Sequence, residues 1–328
     1  MTLAERVDVL VDKGFTQRQA EFLVTVMLHS GVCVGRQYCS HARIVRGQKV
    51  YDFFASLVAR KFATLYPAHR RAYLYHVHNK TLYAAVGEPH NRNRKPVTLG
   101  RAIERLIVLD AVLAEPGLRW LGGEQEKVAY FATTTSLRPT ELPHIAFGEG
   151  AKKTIRHFPD KMPIGIGGDG RTHVFLYVVN RSTPVDFRAF LHRHGELFRA
   201  LPQWELRLLA PRHVAKFVSL FEAAAREEMT DPPRLDDASE LRWYFRQQEH
   251  VDRGGAPDDF RRFRRACRTF RAHRFNVLYR FWKKNGDWPI NATVSPVLGD
   301  KIACDRGRVT THFLPHVYAH LAPLAGSA

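Results

Sequence analysis

The residues best suited to chemistry in this sequence are those that can exchange hydrogen bonds with a base pair. Gln48, Lys49, Tyr51 and Asp52 stand in the first turn of a predicted helix running from Gln48 to Lys61, with Ser56 one turn further on. A Gln amide offers the donor and acceptor that adenine requires, and a Lys ammonium donates to guanine O6 or N7. Arg46, just before the helix, and the helix N-terminus itself suit a phosphate. Arg36 and Gln37 open the preceding short helix, a second place for a phosphate contact. The turn at 67–71 carries His69, Arg70 and Arg71 at its tip, where a narrow minor groove or the DNA backbone would lie. Arg92, Arg94 and Lys95 make a basic connector suited to flanking DNA.

These side chains are useful only if the elements beneath them are rigid. Thr16 and Gln19 read as a capping box, starting a helix to about Leu28 on the apolar positions Ala20, Leu23, Val24 and Met27. Val32 to Val34 is extended, Gly35 to Ala42 is a short second helix, and Arg46-Gly47 turns into the third. Val50, Phe53, Phe54, Leu57 and Val58 give that third helix one apolar stripe, opposite Gln48, Lys49, Asp52, Ser56 and Arg60. Phe62–Tyr66 and Ala72–Val77 read as strands, Lys80–Val86 as a further short segment, and Thr98 opens a long helix to about Ala114. Its core stripe is interrupted by Asp110. The alternative for this stretch is a three-helix bundle with a solvated polar face, which leaves the basic hairpin tip unexplained.

Charge favours the nucleic-acid reading. Among 328 residues, 50 Lys and Arg against 32 Asp and Glu leave a formal +18. Residues 1–120 hold 18 basic and 9 acidic side chains (+9), 121–230 hold 15 and 12 (+3), and 231–328 hold 17 and 11 (+6). From Arg46 to Arg105 there are 12 basic and 3 acidic. A polyanion is drawn to such a surface before any base is read. The absence of a long apolar run predicts no membrane span. Met1 to Asp12 has no secretory h-region, so a cytoplasmic location with reduced thiols is expected.

The stretch Arg18-Gln19-Ala20, Arg36-Gln37-Tyr38, Leu74-Tyr75-His76-Val77, Leu82-Tyr83 and Asn91-Arg92-Asn93-Arg94 resembles replication-relaxation-type winged-helix proteins of plasmids and integrative elements. The resemblance covers residues 15–95 and implies DNA binding in a mobile-element setting. It also implies that an α/β domain similar to restriction-type nucleases could follow, with carboxylates on adjacent strands holding Mg²⁺. Here the candidates are Asp160, Asp169 and the strand His173–Asn180, which offers Tyr177 and Asn180 where carboxylates are needed. Glu196 and Glu205 stand isolated. A domain of that shape without catalysis is the expectation, and a metal-dependent nuclease or nicking enzyme is the alternative. An RNA-binding or protein-bridging module is a third reading.

The remaining motifs are weaker. Cys33, Cys39 and His41 match no common zinc spacing, and buried free thiols are expected. His76 and His78 share a strand face without a third ligand. Gly165-x-Gly-Gly-x-Gly170 sits in an expected hairpin rather than between strand and helix, so it is no phosphate loop. In the middle, Lys127–Thr133, Ile164–Ile166, His173–Val179 and Glu205–Leu209 read as strands, with helices at Val185–Leu201 and Arg212–Glu228. After Asp231-Pro-Pro233, Ala238–Glu249 reads as a helix, and Asp258 opens one long Arg-rich helix to Lys284. Its Arg side chains read equally as a second phosphate track or a solvated face, and Phe260, Phe263 and Phe270 would serve a homodimer. The expected fold class is therefore α+β: a winged helix-turn-helix over 1–116, an α/β domain over 117–230 and a basic helical region over 231–328. No cofactor or metal is expected, and the expected partner is double-stranded DNA.

Overall fold

The computed structural model describes residues 1–67, 73–148, 154–315 and 318. Along the chain run α1 (Leu3–Val11), α2 (Gln17–His29), β1 (Val32–Cys33), α3 (Gly35–Ala42), α4 (Gln48–Ala59), β2 (Ala63–Pro67), β3 (Tyr73–Val77), α5 (Lys80–Ala85) and α6 (Leu99–Ala114). Then follow β4 (Arg119–Leu121), α7 (Glu124–Thr134), β5 (His144–Phe147), β6 (Thr154–His157), β7 (Ile164–Ile166), β8 (Thr172–Val178), α8 (Val185–Ala200) and β9 (Gln203–Ala210). The chain continues through α9 (Val218–Met229), α10 (Leu235–Asp252), α11 (Phe260–Thr269), α12 (His273–Asn285), α13 (Trp288–Thr293), α14 (Val297–Ala303) and β10 (Gly307–Phe313). The protein is thus mixed α+β with several sheets, and among the described residues no helix is long and apolar enough to cross a membrane.

Two compact units divide the chain, and each is discontinuous. The first holds Met1–Lys127 and Met162–Gly170 and the described residues from Phe313 on; the second holds Val128–Lys161 and Arg171–His312. This differs from the expected boundaries at 116 and 230, because chain returns late to both units. In the second unit β10 comes back to pair beside β9, in the order β10-β9-β8.

In the first unit two capping boxes start the opening helices. The Thr2 hydroxyl accepts from Glu5 N while the Glu5 carboxylate accepts from Thr2 N, and Thr16 and Gln19 repeat the exchange. The first box was legible as Thr-x-x-Glu but was not part of the sequence reading, so α1 is an addition. β3 is the middle strand of an antiparallel sheet, with Val32 opposite His76 on one side and Thr64 opposite His76 on the other. Phe22, Leu23, Met27, Phe53, Phe54, Leu57, Val77, Leu82 and Tyr83 fill the core between helices and sheet. Gly31 closes the turn after α2 at φ +74°, and a Cβ there would lie 2.4 Å from the Asn93 carbonyl oxygen, so this position admits no side chain.

In the second unit β8 and β9 are parallel, Val174 facing Glu205 and Leu176 facing Arg207, with α8 as the crossover. That is a βαβ unit. β5 and β6 form a separate antiparallel pair. A helical layer packs Leu241, Phe245, Ala266, Phe270, Leu278, Trp282 and Ile290 together.

Two expectations fail here. Residues 127–133 are helix, not strand: Glu124 and Glu126 sit favourably in its first turn, and Lys127 and Phe131, four apart, are both buried on one face. The β-rich Tyr-Phe-Ala-Thr-Thr run misled the reading, since burial overrides propensity. The long Arg-rich helix is two helices, capped by Asp259 rather than Asp258 and broken after Thr269. On one straight helix Phe270 and Phe275 would project about 140° apart. The break lets their rings meet edge to face at 5.1 Å and share one core.

Candidate nucleic-acid interface

α4 is held by one face and open on the other. Val50, Phe53, Phe54 and Leu57 are buried, and burial of each contributes roughly 1.5–3 kcal/mol. Phe54 stacks on Tyr75 of β3 at 4.2 Å, and Phe53 meets Tyr38 of α3 at 4.5 Å. These contacts fix the helix about its own axis, so the opposite face is fixed too. That face exposes Gln48, Lys49, Tyr51, Asp52, Ala55, Ser56 and Ala59. Ala55 and Ala59 were missed by a search for polar groups. Their small side chains leave the middle of the face low, and an alanine methyl can also meet a thymine methyl.

The polar end of this face is partly ordered. Gln48 Nε2 donates to Asp52 Oδ1 at 2.7 Å. The second N–H of that amide and its carbonyl oxygen are left for a base edge, the pair adenine N7 and N6 demand. Arg46 lies over the Tyr51 ring at 5.4 Å. Gly47 is the N-cap and no side chain caps the helix, so its first backbone N–H groups stay available to an anion. The turn before it adds exposed Arg43, in the left-handed region at φ 53°, and Val45, 89% exposed. Neither was among the sequence-predicted residues.

Other predicted residues are placed elsewhere. Gln37 is fully buried: its Nε2 donates to the Leu106 carbonyl at 2.9 Å and to Asp110 at 2.9 Å, and its Oε1 accepts from Val34 N at 3.1 Å. It cannot reach a phosphate, and its expected role is corrected to a structural one. Arg36 pairs with Asp110 at 2.8 Å and donates to the Tyr318 hydroxyl at 2.8 Å. The interruption in the α6 stripe is therefore the anchor of a polar node, in which Tyr318 also donates to Asp110. Burial, and then the nearby Asp110 charge, push the Tyr318 phenol up.

The connector at 90–96 is likewise part of the packing rather than a free arm. Asn93 Nδ2 donates to the Met27 and Leu28 carbonyls, both at 3.1 Å, closing the end of α2. Arg92 pairs with Glu124, and Arg94 donates to the Pro89 carbonyl at 2.8 Å. Lys95 is exposed. His69, Arg70 and Arg71 lie outside the described residues. His76 is buried and bonds the Asn93 carbonyl at 2.9 Å, whereas His78 bonds Thr64 at 2.8 Å, so the two rings have separate partners.

Three of the four carboxylates considered for a metal, Asp160, Glu196 and Glu205, carry arginines instead. Asp160 pairs with Arg193 at 2.7 Å and Glu196 with Arg199 at 2.9 Å. Glu205 is not isolated: Arg308 donates to it at 2.8 Å, Thr310 at 2.9 Å, and Arg207 lies 3.1 Å away. Burial pushes its carboxyl up, but the hydrogen bonds from Arg207, Arg308 and Thr310 outweigh that and hold it at about 2. Tyr177 packs on the rings of Phe187 and Phe190. Asp169 sits in the turn where Gly170 N donates to the Gly167 carbonyl. Among the described residues no three His, Cys, Asp or Glu side chains gather in a way that could hold a metal. The four cysteines are free; of the two expected to be buried, Cys33 is and Cys39 is only half-buried, while Cys304 is exposed.

Comparison with protein-family models, with curated proteins and with solved structures finds no match for this chain.

Proposed function

We propose that the chain is a sequence-reading double-stranded DNA-binding protein, whose first unit docks as a winged helix with α4 in the major groove. It would act as a transcriptional regulator or a replication or partition factor of a mobile genetic element, as its resemblance to replication-relaxation-type proteins implies. The observation that carries the reading is α4 itself: an apolar face locked against the sheet, an uncapped N-terminus, and an outer face of Gln48, Lys49 and Asp52 around small alanines. The order helix, strand, helix, helix, strand, strand, with β1 against β3, supports it as the arrangement a winged helix needs. Gln37, Arg92 and Arg94, spent on internal contacts, are left out of the proposed interface, and Arg43 joins it. The nuclease alternative finds no favouring observation, because arginine already neutralises Asp160, Glu196 and Glu205.

Binding to the DNA flanking the chain's own gene, beside random duplex at two salt concentrations, tests the proposal. Specific binding is expected, steeply salt-dependent. Gln48→Ala and Lys49→Ala should each narrow the ratio of specific to random affinity by about tenfold, the discrimination of one good base contact. Arg46→Ala should weaken both duplexes alike. If all three variants act in the same way, α4 is not the reading helix. Nicking of supercoiled plasmid that needs Mg²⁺ and disappears in Asp160→Ala would replace the proposal by the enzyme reading.

A further inference from the structure

The second unit carries a charged stripe that pairs with no acid among the described residues. Five of the ten α11 residues are Arg and none is acidic. Arg261, Arg264, Arg265 and Arg268 recur at i, i+3, i+4 and i+7, so they fall within an arc of about 100°. All four are exposed, and Arg271 just beyond the helix is exposed as well. The fifth helical arginine behaves differently. Arg262 takes Glu240 in a two-pronged pair at 2.6 and 3.1 Å and lies 4.1 Å over the Trp243 ring, which pins the helix to α10. The acids that stand near are engaged: Glu240 by Arg262, Asp259 as the N-cap accepting from Arg262 N, and Asp258 by Gln247. The opposite side supplies the packing, through Ala266 and Phe270 in the core and Phe263 against Tyr244.

Like charges at i+3 and i+4 weaken a helix by a few tenths of a kcal/mol per pair. A solvated surface helix usually mixes signs; this face mixes none, so a polyanion laid along it relieves repulsion that water and salt only screen. We infer that the α11 stripe is a sequence-independent contact to the phosphate backbone of duplex DNA, separate from the α4 face. The stripe is about 10 Å long from Arg261 to Arg268, and duplex DNA offers one charge per roughly 1.7 Å of axis. Guanidinium forks match phosphate oxygens in pairs, which is the reason for Arg rather than Lys.

The test is a salt titration of the full chain on random duplex, comparing wild type with a variant in which Arg261, Arg264, Arg265 and Arg268 are all Gln, and one in which all four are Lys. The Gln variant is expected to bind at least tenfold more weakly and to lose about 2–3 from the slope of log affinity against log salt. The Lys variant should keep most of that slope. Thermal unfolding equal to wild type confirms that the Gln variant is folded, and the ratio of specific to random affinity should be unchanged, since α4 is intact. An unchanged slope, or equal loss in the Lys variant, overturns the inference. So does tighter wild-type binding to anionic phosphatidylserine vesicles than to duplex. An unchanged ratio of specific to random affinity in Gln48→Ala and Lys49→Ala would count against the α4 reading and not against this one.

Discussion

Replacing Asp110 with Ala is expected to lower the stability of the first unit by about 3 kcal/mol. One carboxylate accepts from Arg36, Gln37 and Tyr318, so its removal takes an acceptor from three donors at once. Breaking a buried charge pair costs about 3–5 kcal/mol. Arg36 is 37% exposed and can recover water, which lowers that figure. Gln37 keeps the Leu106 carbonyl and the Tyr318 hydroxyl as acceptors but, being fully buried, cannot replace the charged carboxylate with water. Native-state hydrogen exchange of the α3 and α6 amides reads the loss without interference from the second unit. Asp110→Asn, which keeps an acceptor, should cost about half as much. A change under about 0.5 kcal/mol for Asp110→Ala would mean that the node is not structural. The same variants decide what Arg36 does. Below its melting temperature Asp110→Asn should bind DNA within about twofold of wild type. Tighter binding would show that the freed guanidinium reaches a phosphate, as its place at the start of α3 first suggested.

The residues that separate what was legible from what was not share a physical feature. α2, α4 and α6 were readable because their apolar stripes have the 3.6-residue period, and the strands β8 and β9 because they are short buried runs. α4's outer face was readable for the same reason, since a surface is what remains when the stripe is removed. Gln37 and Asp110 were not, because a polar side chain in a buried position looks like a surface side chain until its partner is known. That partner lies 73 positions away in the chain. The basic connector misled in the same way: Arg92 and Arg94 have the charge of a DNA-binding arm, but their distribution of partners is set by Glu124 and by backbone carbonyls. Charge counted along a sequence overstates a basic surface wherever arginine is used as internal glue; on α11 only Arg262 is used that way, pairing with Glu240, while Arg261, Arg264, Arg265 and Arg268 stand exposed.

Acidification should destabilise the first unit well before its carboxylates titrate, and His29 is the main cause. It ends α2 only 9% exposed, with Nδ1 buried and without a hydrogen bond. Gly122 packs close to the ring, since a Cβ there would lie 2.9 Å from that nitrogen. Burial, then Lys127, then Arg6 lower its pKa from 6.5 to about 3. The folded state therefore keeps the ring neutral, whereas the unfolded chain takes up a proton below 6.5. Between those values the unfolded state binds more protons, so stability rises with pH and falls on acidification. The slope from this one ring approaches 1.4 kcal/mol per pH unit, and the total loss by about pH 3 is on the order of 4 kcal/mol. His41 and His76, lowered first by their own burial, act in the same direction. Glu205 acts lower, losing its contribution only as the pH falls from its ordinary 4.5 through about 2, and it belongs to the second unit. Hydrogen exchange of the α2 amides at pH 7, 6, 5 and 4 should show the decline, and His29→Leu should flatten it while leaving the neutral-pH value near wild type. An equally steep decline in the Leu variant would assign the acid sensitivity to His41, His76 and the +18 net charge instead.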